Sequence, residues 1–109
     1  MTQISTKSDI ESKISTRKPL LIYFSSENCS VCKVLKPKIE EHISKNFPNI
    51  ELLELKVDLH KDIASNFSVF SIPTILVFFD SKEFFRKSRN LSIPLFIEEL
   101  KRPYNLFMD

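Results

Sequence analysis

Residues 25–39 read SSENCSVCKVLKPKI and hold both cysteines of the chain, Cys29 and Cys32, two residues apart, with Pro37 five residues further on. The pattern changes period across this stretch. Upstream, PLLIYFS (residues 19–25) is a continuous apolar run of branched and aromatic side chains, the signature of a strand buried on both faces. From Cys29 onward, Val31, Val34, Leu35, Ile39 and Ile43 fall three and four apart, which predicts a helix to about Asn46, kinked by Pro37. The cysteine pair therefore lies where a central strand gives way to the first turn of a helix.

Further out, helix and strand periods keep alternating. A short strand is expected at residues 2–5 and an amphipathic helix at 7–16, where Ile10 and Ile14 share a face. Residues 50–59 read as a strand with Leu53, Leu55 and Val57 on one face and Leu52, Glu54 and Lys56 on the other. A short helix at about 60–67 follows. Strands at 73–79 and 82–88 flank Asp80-Ser81 as an antiparallel hairpin, with Phe78, Phe79, Phe84 and Phe85 read as sheet core. Ser92 caps a last helix whose Ile93, Phe96, Ile97 and Leu100 form a stripe until Pro103. The order β-α-β-α-β-α-β-β-α is that of an α/β domain, read as one domain over residues 1–109.

Composition narrows the function. Sixteen basic against fourteen acidic residues leave a formal charge of +2, too balanced for a phosphate-binding surface, so nucleic acid is not the expected partner. No stretch has the ~18 consecutive apolar residues of a membrane span, and the N-terminal residues lack the apolar core of a leader. A soluble, cytoplasmic protein is expected. The chain contains no glycine, where average usage of about 7% would supply seven or eight, so glycine-rich phosphate loops are excluded. Turns needing positive φ are expected at Asn46, Asn49, Asp80, Ser81 and Asn90.

The position of the cysteines carries the chemistry. Free backbone N–H groups and the positive end of the helix dipole stabilise a thiolate, so Cys29 is expected to be more acidic than a free thiol. The spacing lets Cys32 attack a mixed disulfide formed on Cys29. A structural disulfide is a weaker reading, because so small a ring restrains the unfolded chain very little. A zinc site needs four ligands, and neither His42 nor His60 stands at a matching spacing; both are read as surface residues.

Cys29-Ser30-Val31-Cys32 after a hydrophobic strand, Pro37, VDL at 57–59 and SIPTILVFF at 71–79 together resemble the thioredoxin family across nearly the whole chain. The resemblance implies a mixed β-sheet with helices on both faces. It also implies a thiol:disulfide oxidoreductase in which Cys29 is the nucleophile and Cys32 the resolving thiol, working without a dissociable cofactor or metal. Ile72 and Pro73 match the family's cis-proline loop, which binds the substrate's extended backbone beside Ser30 and Val31. The implied partners are disulfide-containing proteins and an upstream thiol reductant such as a thioredoxin reductase, with the protein a monomer.

This sequence also departs from the family. Tyr23 stands where typical thioredoxins bury an aspartate that helps proton transfer to the resolving cysteine. Glu54 stands where a lysine commonly pairs with that aspartate, and Glu54 or water is the expected substitute in proton transfer. The flanking tryptophan positions hold Asn28 and Ser25. Arg89 replaces a glycine on the loop facing the site, as a cation favouring the Cys29 thiolate and acidic substrates, or as one of several solvated charges. These departures leave two alternatives: chemistry run in reverse, as an oxidase or isomerase, and a thioredoxin-fold binding module with little or no redox activity.

Overall fold

The structure, a computed structural model, describes residues 1–88 and 91–108. Its elements are β1 (Thr2–Gln3), α1 (Lys7–Ser15), β2 (Leu20–Ser25), α2 (Ser30–Asn46), β3 (Glu51–Lys56), α3 (Lys61–Asn66), β4 (Thr74–Phe79), β5 (Lys82–Lys87) and α4 (Ile93–Met108). The order is the expected one. The sheet runs β1-β3-β2-β4-β5, with β1, β3 and β2 parallel, β4 antiparallel to β2, and β5 antiparallel to β4.

Strand β2 is the middle strand of the sheet, and all six of its side chains are buried. Leu21 and Tyr23 point into one core with Ile75, Val77 and Phe79 of β4, under Ile39 and Ile43 of α2 and Phe96, Ile97 and Leu100 of α4. Leu20, Ile22 and Phe24 point the other way, with Leu53 and Leu55 of β3, under Ile10 of α1 and Ile63 and Ala64 of α3. The period-2 alternation of side chains thus divides the apolar content into two layers, with the sheet between them.

Several boundaries differ from the sequence expectation. Strands β1 and β3 are shorter, ending at Gln3 and Lys56, and residues 57–59 form a turn. Helix α2 does run through Pro37 to Asn46, as expected. Helix α4 passes through Pro103 to Met108, although a proline in a helix interior costs about 3 kcal/mol. Tertiary contacts offset that cost. Tyr104 is buried with its ring 4.9 Å from that of Phe47, its hydroxyl accepts hydrogen bonds from the backbone and side chain of Asn49, and Phe107 packs on the core. Phe84, expected in the core, faces outward on β5, the strand at the sheet's edge.

Without glycine, the left-handed backbone positions among the described residues fall on Arg17, Ser68, Asp80 and Ser81. The hairpin pair was expected; Asn46 and Asn49 do not serve, and Asn90 lies outside the described residues. Arg17 and Ser68 each follow a helix C-cap, the position where glycine is usual. The end of α1 and the hairpin are tied to each other: the Arg17 guanidinium donates to Asp80 at 2.6 Å, and the Ser81 hydroxyl donates to the carbonyl of Ile14 at 2.7 Å.

Candidate active site

Strand β2 ends at Ser25, and residues 26–28 lead to Cys29, the N-cap of α2, with φ −96° and ψ 102°. Its sulfur accepts the backbone N–H of Cys32 at 3.2 Å, so a side chain at the cap takes up one of the orphan donors of the first helical turn. Cys29 and Cys32 are joined in a disulfide with Cα atoms 5.2 Å apart. The two sulfurs differ in access. Cys29 is half-buried, whereas Cys32 is only 2% exposed and belongs to the core under α2.

The same end of the sheet carries the other residues singled out by sequence. The Ile72-Pro73 bond is cis, Pro73 is buried, and Ile72 packs on the same core as Cys29. Thr74 pairs with Phe24 across β4 and β2, which sets the 71–73 loop beside the end of β2. Ser30 and Val31, both exposed, line a groove of about 390 Å³ with Val34, Leu35, Lys38 and Leu91. Pro37 lies exposed on α2, one turn beyond Lys33. Arg89 lies outside the described residues. His42 is exposed, and His60 is the half-buried N-cap of α3.

Beneath the cysteines sits a polar cluster. The Tyr23 hydroxyl, fully buried, donates to the carbonyl oxygen of Cys32 at 2.8 Å. Burial, and then the charge of Glu54, raise its pKa well above the usual phenol value. Tyr23 and Glu54 are register partners across β2 and β3. Glu54 is 1% exposed, the one buried carboxylate among the described residues. Lys36 of α2 reaches one of its oxygens at 2.7 Å, together with the Gln3 amide; the Ser25 hydroxyl reaches the other at 2.7 Å, with Lys56 at 3.4 Å. Burial pushes the Glu54 carboxyl up, but the hydrogen bonds from Lys36, Ser25 and Gln3 and the charge of Lys36 outweigh it and hold the pKa down to about 2.

Sequence reading picked out Tyr23 and Glu54 but not the partners of Glu54. Lys36 carried a usable signal, since it lies four residues after Cys32 and so on the same face of α2. Gln3 and Ser25 carried none, because only the β1-β3-β2 pairing brings them to Glu54.

Comparison with known proteins agrees with this geometry. The family model named Thioredoxin matches residues 1–95. The chain is 35% identical over 107 residues to a thioredoxin-like protein, YdfQ, of Bacillus subtilis, covering 98% of this chain and 95% of that one. It is 34% identical over 83 residues to thioredoxin-1 of Saccharomyces cerevisiae, covering 76% and 80% of the two chains. The solved structure of Fasciola hepatica thioredoxin superposes with a TM-score of 0.77 at 26% identity, over 98% of this chain and 99% of that one. A two-cysteine turn at the N-terminus of α2, a cis-proline beside it and a match over most of the sequence have one explanation: the chain belongs to the thioredoxin family and is a thiol:disulfide oxidoreductase.

Proposed function

We propose that this oxidoreductase works as a reductase of disulfides in partner proteins, with Cys29 as nucleophile and Cys32 as resolving thiol. The observation that carries the assignment is the unequal access of the two sulfurs, one half-buried at a helix cap and one 2% exposed. In the dithiol form, the Cys29 thiolate attacks one sulfur of the substrate disulfide and expels the other as a thiolate. Cys32, deprotonated, then attacks Cys29 Sγ in the mixed disulfide, releasing the second substrate thiol and leaving Cys29 and Cys32 oxidised. Two electrons pass from the pair to the substrate. An upstream thiol reductant, such as a thioredoxin reductase, restores the dithiol.

The backbone N–H of Cys32 that faces Cys29 Sγ supports negative charge on that sulfur in the reduced protein. The substrate backbone lies along Ile72 and Pro73, with Ser30 and Val31 on the opposite side of the sulfur and Arg89 as a further contact. Of the two acceptors for the Cys32 proton, water is favoured over Glu54, because a carboxylate with a pKa near 2 and all its bonds made binds a proton poorly at neutral pH. The protein acts as a monomer in the cytoplasm, whose reducing poise keeps the pair as a dithiol. No helix among the described residues is long and apolar enough to cross a membrane.

The test is the equilibrium potential of the pair, titrated against a dithiol buffer, together with insulin reduction by the wild type and Cys29→Ser. A potential near about −270 mV and activity lost in the variant support the reductase. A potential towards about −120 mV makes it a disulfide donor instead. Size-exclusion chromatography of the same samples checks the monomer.

A further inference from the structure

Phe70 is 82% exposed, the most exposed of the large apolar side chains recorded in the structure. The segment that carries it is fastened on both sides. Val69, buried against the core beneath α3, donates its N–H to the carbonyl of Ala64 at 2.9 Å. The Arg86 guanidinium donates to the carbonyls of Phe67 and Ser68, at 2.8 and 3.1 Å. On the far side, the Thr74 hydroxyl donates to the carbonyl of Ser71 at 2.7 Å. A phenylalanine held in water on a pinned segment gives nothing to the core, and a polar side chain would serve the fold as well.

Its place in the topology gives it a use. Phe70 stands three residues before Pro73, at the sheet end where β2 delivers Cys29. Leu59, 63% exposed, lies at the same end, in the turn after β3, where the N–H of Val57 bonds to the carbonyl of Ser25. Val31 and Val34 are exposed across the disulfide on α2, and they line the groove already described. Exposed apolar side chains from α2 and from the segments that flank α3 therefore stand at the sheet end that carries Cys29. An extended chain advances about 3.3 Å per residue. A segment laid along Ile72 and Pro73 thus brings residues two to three positions from its cysteine over Phe70.

We propose that Phe70 is a specificity-determining residue, which holds an apolar side chain of the disulfide-bearing segment while Cys29 reacts with its cysteine. The inference rests on the reductase reading above. It assigns the substrate class: protein disulfides whose cysteine is followed or preceded, within three residues, by a large apolar side chain.

The experiment uses two disulfide-linked peptide homodimers, identical except for Leu or Ser at the positions two residues either side of cysteine. Bis(2-hydroxyethyl) disulfide, too short to reach Phe70, is the control substrate. In the wild type the Leu peptide is expected to have a KM about tenfold lower than the Ser peptide at similar kcat. Phe70→Ser is expected to shrink that ratio to about twofold, Phe70→Leu to keep most of it, and both to reduce the small disulfide at the wild-type rate with an unchanged unfolding midpoint. An equal preference in Phe70→Ser and wild type, or no preference in wild type, overturns the proposal while leaving the reductase standing. Failure of the wild type to reduce even the small disulfide overturns both.

Discussion

The Tyr23 hydroxyl donates a 2.8 Å hydrogen bond to the carbonyl of Cys32, and across the strands Tyr23 is the register partner of Glu54. Position 23 thus supplies a neutral donor, and position 54 a carboxylate whose charge is balanced from elsewhere, by Lys36 and Lys56. Each half of the arrangement makes sense only with the other. Tyr23→Asp alone puts a second carboxyl beside Glu54 in a buried site and is expected to cost about 3 kcal/mol or more. Glu54→Lys alone sets a third ammonium beside Lys36 and Lys56 and is also destabilising. The double variant forms an Asp-Lys pair, so the double-mutant cycle is expected to show a favourable coupling of about 1–3 kcal/mol in urea unfolding. Additive losses would mean that the two positions are energetically independent.

Tyr23→Phe separates position from proton chemistry. Burial and Glu54 raise the phenol above its usual pKa, so it does not titrate near neutrality. Removing it is expected to cost about 1 kcal/mol of stability for the lost hydrogen bond. The pH profile of insulin reduction between pH 6 and 9 should stay in place. A displaced profile would assign Tyr23 a part in proton transfer.

The Glu54 cluster sets an acid limb of stability. Its pKa in the folded chain, about 2, lies below the ordinary value of 4.5, so the folded state favours the ionised form. That contribution is complete above about pH 4.5 and is lost as pH falls towards 2. It amounts to about 3 kcal/mol at neutral pH. Glu54→Gln should therefore be less stable than wild type at pH 7, with the difference shrinking steadily as the pH falls through this window. A gap that stays constant down to pH 2 would contradict the ionised, hydrogen-bonded carboxylate.

The two thiols should react at different rates. In the reduced protein, iodoacetamide at pH 7 is expected to label Cys29 at least about tenfold faster than Cys32, since only Cys29 combines access with a cap position. Peptide mapping after partial labelling gives the ratio. Preferential labelling of Cys32 would reverse the assigned roles.

Ser68 offers a stability test of the glycine-free backbone. It has φ 56° after the last turn of α3, where its N–H and that of Val69 bond back to Ser65 and Ala64. A side chain in the left-handed region costs about 1 kcal/mol, so Ser68→Gly should raise the unfolding midpoint by about 4 °C. Ser65→Gly, inside the same helix, should lower it. Equal shifts of the two would show that the left-handed turn does not carry the cost.

Much of this molecule is legible in its sequence. Local periodicity shows where β2 ends and α2 begins, and the cysteine spacing, Pro73 and the Asp80-Ser81 hairpin fall on that map, because each depends on neighbours a few residues away. The run through Pro103 does not, because the contacts that outweigh the proline come from Phe47 and Asn49, more than fifty residues earlier. Nor was Ser68 readable as a left-handed residue, since nothing in its own chemistry favours that region.

The sequence by itself determined the alternation of elements and the pair that carries the redox chemistry, through residue type and short-range spacing. Only the tertiary structure decided how the buried charge is balanced and which surface borders the reactive sulfur. Pairing of β1, β3 and β2 delivers Gln3 and Ser25 to Glu54, and α2 supplies Lys36. The folds of the chain on either side of α3 leave Phe70 in water at the end where Cys29 emerges. Coulombic and apolar contacts act over a few ångströms in space whatever the separation along the chain, so residues far apart in the sequence share one environment only after folding.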